Sequence, residues 1–509
     1  HLGPTDLAAL LLKVVYGISS FILIVYGLNC YTYIYLFLKN RRKSEDANSK
    51  FLSDFYRDFK EADFPPVTTQ LPIYNEKYVA FRLIDAVAQM DYPKHLHEIQ
   101  VLDDSTDETW DLVEEHIEPL RRAGHLIRHI KRTDRKDYKA GALENGLHLS
   151  NGDYLAIFDS DFVPPPEFLK KTVPFLMKKP ELGFVQTRWG HLNQNESLLT
   201  KAQAIGIDGH FVIEQTARRW GSLFLNFNGT AGIWRKKAIV DAGGWQGDTL
   251  TEDLDLSYRA QLRGWGTEYL YDVVCRAEIP ADMNAFKSQQ FRWAKGSIQT
   301  AKKLFVAVWG SPASIYKKFQ STIHLTHYMI HPLIVLNALL SLPIIFWTEQ
   351  MTFKPQYIAL FAVLGLATFA PTLMYIVSQW GQGGPWIRRL KAMPTLMVIG
   401  LGIGVNNSHA VLSALFGSKG DFVRTPKTGA VTLAQTAKRA KKKDYKLKWN
   451  AVVWTELLIG FYCFFSFFFF MKKSLLFSGS FFAAPFLLLY GFGFLTASIL
   501  SLRHYLERS

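Results

Sequence analysis

Two aspartates one residue apart, Asp159 and Asp161, close the apolar run that ends Phe158-Asp159-Ser160-Asp161. At the end of a strand, both carboxylates can reach a hard divalent cation bridging a diphosphate. An ordinary strand-end turn accounts for the same triplet, so the pair gains weight from repetition. Val101-Leu102-Asp103-Asp104-Ser105 puts a second acidic pair at the end of an earlier run, where one carboxylate can accept from a ribose or base edge. Lys139, in Asp137-Tyr138-Lys139-Ala140-Gly141-Ala142, can counter diphosphate charge. The chain carries neither a P-loop nor a strand-linked Gly-x-Gly-x-x-Gly, so phosphate neutralisation falls to metal and side chains.

Thr251-Glu252-Asp253 follows a Gly-rich turn, Gly243-Gly244-Trp245-Gln246-Gly247. A carboxylate there can deprotonate a sugar hydroxyl, although the same residues also read as a helix N-cap. Gln289-Gln290-Phe291-Arg292-Trp293 joins a planar cation suited to phosphate with an indole suited to stacking on a sugar ring. The stretch has helical apolar spacing, so packing and binding can share it.

What must position these groups is an α/β layer. From about 64 to 318, short β-branched runs such as Glu98 to Asp103 and Tyr154 to Asp159 alternate with helix-like stretches such as Tyr78 to Met90 and Thr109 to Ala123. That alternation predicts a mainly parallel sheet, whose ligands bind beyond the carboxyl ends of the strands.

Around this layer the chain is apolar in long blocks. Val14 to Leu38 holds no charged residue, enough for a helix of about 20 residues to cross a bilayer. Lys39, Arg41, Arg42 and Lys43 follow it and put the next segment in the cytosol. Further runs at 319–347, 355–386, 451–471 (interrupted only by Glu456) and 474–502 bring the expectation to five spans. The run 392–418 has basic residues on both sides and carries Gly400, Gly402, Gly404, Asn406 and Asn407. It reads as an interfacial or re-entrant helix pair. The formal charge of +14 collects beside these apolar blocks with no recognition module, so lipid rather than nucleic acid is the expected partner. Cys30, Cys275 and Cys463 are scattered without CxxC spacing, which indicates neither a disulfide framework nor a thiolate metal site.

Taken in order, Pro72-Ile73-Tyr74-Asn75-Glu76, Asp103-Asp104, Asp159-Ser160-Asp161, Phe227-Asn228-Gly229-Thr230, Thr251-Glu252-Asp253 and Gln289-x-x-Arg292-Trp293 give the chain a specific resemblance. It resembles processive family 2 glycosyltransferases of the cellulose synthase superfamily, most of all the cellulose synthase-like A and C branches, mannan and glucan synthases. The likeness implies an α/β GT-A (Rossmann-like) cytosolic domain inserted between transmembrane helices. Tyr74, Glu76, Asp103, Asp104, Lys139, Asp159, Gln289 and Arg292 would bind the donor. Asp159 with Asp161 would hold Mg2+ or Mn2+, and Asp253 would be the catalytic base. Asn228, Gly229, Thr230, Glu252 and Trp293 would meet the acceptor. Phe422, Arg424, Thr425 and Lys427 look like part of the family's gating loop.

The expected division is a first transmembrane helix at 1–40, the glycosyltransferase domain at 41–318, and two transmembrane helices at 319–386. Interfacial helices and the gating loop follow at 387–448, then two more transmembrane helices and a short tail at 449–509. The reaction implied is a metal-dependent, inverting transfer that builds a β-linked polysaccharide, β-1,4-glucan or mannan, and passes it across the membrane. UDP-glucose is the favoured donor and GDP-mannose the alternative; a non-processive glycolipid synthase is the rival reading. A bacterial inner membrane is the expected location, with the Golgi as alternative. Unlike bacterial cellulose synthases, this sequence has no recognisable cyclic-dinucleotide barrel. Unlike the plant enzymes, it lacks their large insertions and zinc module.

Overall fold

The computed structural model describes residues 4–347, 356–417, 451–476 and 484–506. Eight strands form one sheet: β1 (Val67–Ile73), β2 (His97–Asp103), β3 (Leu126–Ile130), β4 (Tyr154–Ile157), β5 (Phe162–Val163), β6 (Leu182–His191), β7 (Gly232–Arg235) and β8 (Gly266–Ala277). Their order is β3-β2-β1-β4-β7-β6-β8-β5. In the first half β1 pairs in parallel with both β2 and β4, and β2 with β3. Helices Ala80–Ala88, Thr109–Arg122 and Tyr138–Leu149 make the connections. β2 is buried throughout, as a strand covered on both faces must be. The strand order reverses at β1, which opens a crevice at the ends of β1 and β4.

The second half departs from the parallel pattern. β7 runs antiparallel to β4 and β6, and β5 antiparallel to β8. Only β6 and β8 pair in parallel there. Ile157 ends β4 and Phe162 begins β5, yet these strands lie four positions apart in the sheet. Five residue steps reach at most about 18 Å, and four strand spacings come to about 19 Å. The connection therefore closes only because the sheet curls. Phe158 to Asp161 make that connection.

One apolar cluster, including Leu83, Val101, Phe158 and Phe175, fills one face of the sheet. Another, with Leu143, Phe184, Phe227 and Trp234, fills the opposite face and takes in Tyr33, Ile34 and Phe37 of the first helix. That helix, Pro4–Arg57, continues past the expected boundary at 40. Its far end packs Phe51 on Phe175, ring centroids 4.4 Å apart, which anchors the extension to the sheet domain.

Among the described residues, five helices are long and apolar enough to cross a membrane: Leu7–Arg41, Ile315–Ile344, Ala362–Gly381, Ala451–Lys472 and Pro485–His504. Trp386–Gly402 and Gly404–Phe416, which take in 392–416, are apolar enough together and bent by 40° where they meet, the geometry of a broken span or of a re-entrant loop. The asparagines that would be costly against lipid are buried in protein. Asn406 Nδ2 donates to Lys287 O, and Asn407 bonds the His331 ring at 3.0 Å.

Candidate active site

At the open end of β1 and β2, backbone and side chains are stitched together before any ligand is considered. Asn75 takes a left-handed conformation (φ 51°) and donates from its backbone N–H to Ser105 Oγ at 2.8 Å. Its side-chain oxygen accepts from Thr106 N. Asp103 is fully buried: Oδ1 accepts from Ser105 N at 2.8 Å, and Oδ2 lies 3.0 Å from His129 Nε2. Trp110 stacks on that imidazole. Arg132 grips both oxygens of Asp104, at 3.0 and 2.5 Å. Each oxygen of the acidic pair thus already accepts one bond inside the protein. Arg135 lies over the Tyr74 ring, 3.3 Å from its centroid, and beside Tyr138. Nothing in the sequence patterns singled out Arg132 or Arg135; their signal is a basic loop directly after a strand.

Lys139 is the centre of the site. Its Nζ donates to Asp159 Oδ1 at 2.5 Å and Gly229 O at 2.9 Å, and lies 3.9 Å from Glu252 Oε1. Asp137 and Tyr138, just before it, both have positive φ, 56° and 48°. Two such non-glycine residues in a row hold strain that the surroundings must enforce, a pattern that clusters at functional sites. Burial disfavours the lysine charge, but the carboxylates of Asp159, Glu252 and Asp253 together hold its pKa above the ordinary lysine value. One cation therefore brings together three separate sequence motifs.

Asp159 N donates to Thr230 Oγ1 at 2.9 Å, fixing the Asp-x-Asp turn to the Asn-Gly-Thr loop. That loop is itself held by Gln186, fully buried on β6. The glutamine takes Asn228 N–H on Oε1 and donates to Thr230 O and Ala231 O. A polar residue inside the apolar strand Phe184-Val185-Gln186 was the available sign that a buried amide must be satisfied. Gly229 (φ 77°) packs so close to the base candidate that a methyl group on it would lie 2.8 Å from Asp253 Oδ2.

Thr251 precedes helix Glu252–Leu262, so Glu252 and Asp253 occupy its first turn. Its side chain makes no capping bond there, and instead pairs with Thr300 Oγ1 at 3.2 Å. Burial, then the neighbouring Glu252, pushes Asp253 up to about 8, whereas Lys139 pulls it down. Burial also raises Glu252. A carboxyl group poised near neutral pH suits a proton acceptor. Gln289, Arg292 and Trp293 are half-buried on helix Met283–Gly310, at i, i+3 and i+4 and hence on one face. Burial lowers the Arg292 pKa, opposed by the carboxylates of Glu252, Asp159, Asp161 and Glu76, which brings the arginine into the same electrostatic neighbourhood.

Asp161 is buried, and its carbonyl accepts from Glu278 N at 3.3 Å and Arg82 Nη2 at 3.4 Å. Among the described residues no three His, Cys, Asp or Glu side chains gather as a metal cage. Two neighbouring carboxylates at a strand end nevertheless fit an ion of the Mg2+ type, which is commonly held by one or two carboxylates plus substrate phosphates. Phe422, Arg424, Thr425 and Lys427 lie outside the described residues.

The family described as glycosyltransferase like family 2 matches residues 65–296. Probable glucomannan 4-beta-mannosyltransferase 11 of Oryza sativa subsp. japonica is 45% identical over 249 residues, 48% of this chain and 44% of that protein. This chain therefore spans less than half the length of that relative. Glucomannan 4-beta-mannosyltransferase 1 of the same plant is 32% identical over 419 residues, 79% of this chain and 77% of that protein. Among solved structures, mannosyltransferase PcManGT from Pyrobaculum calidifontis, in complex with GDP-Man and Mn2+, matches at 18% identity and a TM-score of 0.48, covering 78% of this chain and 100% of that one. A glycosyltransferase motif set gathered around one lysine, and an alignment that runs most of the length of a curated relative, place the chain in the family 2 glycosyltransferases of the cellulose synthase superfamily, in the cellulose synthase-like group to which the glucomannan 4-beta-mannosyltransferases belong.

Proposed function

We propose that this chain is an inverting, metal-dependent hexosyltransferase that lengthens a β-linked polysaccharide, a β-1,4-mannan or a glucan, from a nucleotide-diphosphate sugar. The observation that carries the reading is the convergence on Lys139 of Asp159, Gly229 and Glu252, with Asp253 one residue further on. Relatives named as mannosyltransferases favour GDP-mannose over UDP-glucose as the donor. Because those relatives are plant proteins, a Golgi membrane is favoured over a bacterial one.

In this reading the nucleotide lies along the ends of β1 and β2, near Tyr74, Glu76, Asp103 and Asp104. Lys139 and Arg292 with Gln289 face the diphosphate, so negative charge building on the leaving group meets fixed cations in a half-buried site. Asp159 and Asp161 would hold Mg2+ or Mn2+, which when bound supplies further charge stabilisation to the diphosphate. Asp253 takes the proton of an acceptor hydroxyl held by Glu252, Trp293 and the Asn228-Gly229-Thr230 loop. The oxygen–carbon bond forms as the carbon–diphosphate bond breaks on the opposite side. A single displacement turns an α-linked donor into a β-glycoside and requires no second nucleophile. The five long helices anchor the domain at the bilayer. Between them the growing chain would leave, with the 422–427 segment acting as the gate.

The test is incorporation of labelled GDP-mannose and of UDP-glucose, in separate reactions with Mg2+ or Mn2+, by the full chain in lipid, with Asp253→Asn as control and product sizing. A long polymer from one donor, cut by the matching β-glycosidase and missing with the substituted enzyme, is expected. A single-sugar lipid product would replace this reading with a glycolipid synthase.

A further inference from the structure

The helix Leu198–Asp208 runs into a π-helical turn, Gly209–Glu214, before resuming as Gln215–Trp220. Such turns are rare and tend to mark functional places. In an ordinary helix of about 3.6 residues per turn, the residue at i+5 sits roughly 140° around from residue i. A turn closed by i→i+5 bonds brings residues i+4 and i+5 to either side of residue i instead. Here residue i is His210, and its neighbours are Glu214 and Gln215.

His210 and Gln215 both reach Asn228, and Glu214 backs His210. His210 Nδ1 lies 2.8 Å from Glu214 Oε2, and His210 Nε2 lies 3.1 Å from Asn228 Nδ2. Gln215 Nε2 donates to Asn228 Oδ1 at 2.5 Å and to Asn226 O at 2.7 Å. The pattern is self-consistent in only one arrangement. Gln215 offers a hydrogen, so the asparagine oxygen must face it. The asparagine NH2 then faces His210, whose Nε2 must accept. That leaves the imidazole hydrogen on Nδ1, pointing at the Glu214 carboxylate, which favours this tautomer. Arg218, fully buried, donates to the other Glu214 oxygen at 3.0 Å and keeps the carboxylate in place. His210 keeps about a quarter of its side chain exposed, so it borders open space rather than core.

We infer that His210, backed by Glu214 and Arg218, is a positioning residue for the acceptor: it locks the Asn228 amide in one orientation beside Gly229 and Asp253. This deepens the proposed function and rests on Asn228 meeting the acceptor there and on Asp253 being the base. The probe is acceptor dependence, with labelled GDP-mannose, or UDP-glucose if that donor is used, and manno- or cello-tetraose as acceptor, by the full chain in lipid. His210→Phe fills the volume but offers Asn228 no acceptor. The expected result is an acceptor KM raised about tenfold or more, with donor KM changed less than twofold. His210→Gln restores an oxygen towards Asn228 and should bring acceptor KM back to within about threefold. An acceptor KM unmoved by His210→Phe would overturn the inference. So would a parallel loss in donor and acceptor parameters, or a glutamine variant no better than phenylalanine. Asp253→Asn separates the two failures: transfer that survives it sinks the proposed function, whereas a dead Asp253→Asn beside an unmoved His210→Phe sinks only the inference.

Discussion

Lys139 Nζ lies 2.5 Å from Asp159 Oδ1, so the cation proposed to meet the donor diphosphate already balances the Asp-x-Asp turn. Lys139→Met should therefore act twice, removing a phosphate partner and leaving Asp159, Glu252 and Asp253 without the lysine that contacts them, with only the more distant Arg292 as counter-charge. Stripping one partner from a buried charge pair costs about 3–5 kcal/mol, and this pair is only partly buried, so roughly 1–3 kcal/mol is expected here. Catalysis should drop at least about a hundredfold, since about 2.7 kcal/mol lost from the transition state is already that factor. Nucleotide-diphosphate titration by calorimetry together with thermal unfolding separates the two effects. Normal binding of the nucleotide to the variant would remove Lys139 from the donor site.

Asp253→Asn should stabilise the protein while abolishing transfer. The folded-state pKa of Asp253 is raised to about 8 from an ordinary aspartate value near 4, so the fold favours the protonated form. Its contribution to stability is intact below about pH 4 and lost progressively as pH rises through about 8. An amide mimics the protonated acid and escapes that loss. At pH 8 the variant is expected to melt a few degrees above the parent, because about 1 kcal/mol corresponds to about 2–4 °C in a domain of this size. At pH 4 the two should melt together. In the active protein, kcat/KM should rise with pH and level off above about 8, as the free base form fills. A melting difference that does not depend on pH would contradict the raised pKa.

Much of this site was legible in the sequence, and the reason is local. Asp159, Asp161 and Asp253 each sit where a short apolar run stops or a helix starts, and a strand end or first turn is readable from neighbours alone. What was not legible depends on distant pairing. Gln186 is bonded to residues more than 40 positions away, and nothing near it announces those partners. The sheet is mainly parallel as expected, and its three antiparallel pairings were not legible because β7 and β5, four and two residues long, are too short to show periodicity. Likewise the π-helical turn at 209–214 has no compositional mark. The membrane helices were found from their apolar length, yet the continuation of the first helix to Arg57 follows from packing of Phe51 and Phe55 on the sheet domain, a tertiary contact.

Glu456, the one charge in its apolar run, meets Lys287 at 2.7 Å, and Lys287 Nζ also reaches Ser501 Oγ at 3.2 Å. Lys287 stands two residues before Gln289 on the helix that carries Arg292 and Trp293. The pair therefore ties that helix to two membrane-length helices. Lys287→Met alone should cost about 3–5 kcal/mol by stranding a carboxylate in an apolar surround. Lys287→Met with Glu456→Leu should recover most of that loss, since a matched apolar pair of similar volume is often neutral. Thermal unfolding in lipid nanodiscs gives the comparison. A double variant no more stable than the single would mean that the two side chains are not coupled.

Gly296 sets how near the Arg292 helix comes to Thr251-Glu252-Asp253, where the proposed base lies. A methyl group there would lie 2.5 Å from Thr251 Cγ2 and 2.9 Å from Thr251 N, and the backbone atom cannot swing aside. The contact is reinforced on each side, by Gln299 Oε1 accepting from Leu250 N at 2.9 Å and by Thr300 meeting Thr251. Gly296→Ala must therefore push the helix away from Thr251-Glu252-Asp253 by some tenths of an ångström, carrying Arg292 and Trp293 with it. Small displacements in a positioned site can cost up to a hundredfold in rate. We expect kcat to fall about 10- to 100-fold in Gly296→Ala. Overpacking typically costs about 1–3 kcal/mol, partly offset by the better helix propensity of alanine. Steady-state transfer rates and melting temperature, measured on the same preparation, decide it. Unchanged kcat would show that the spacing between helix 283–310 and Asp253 does not limit the reaction.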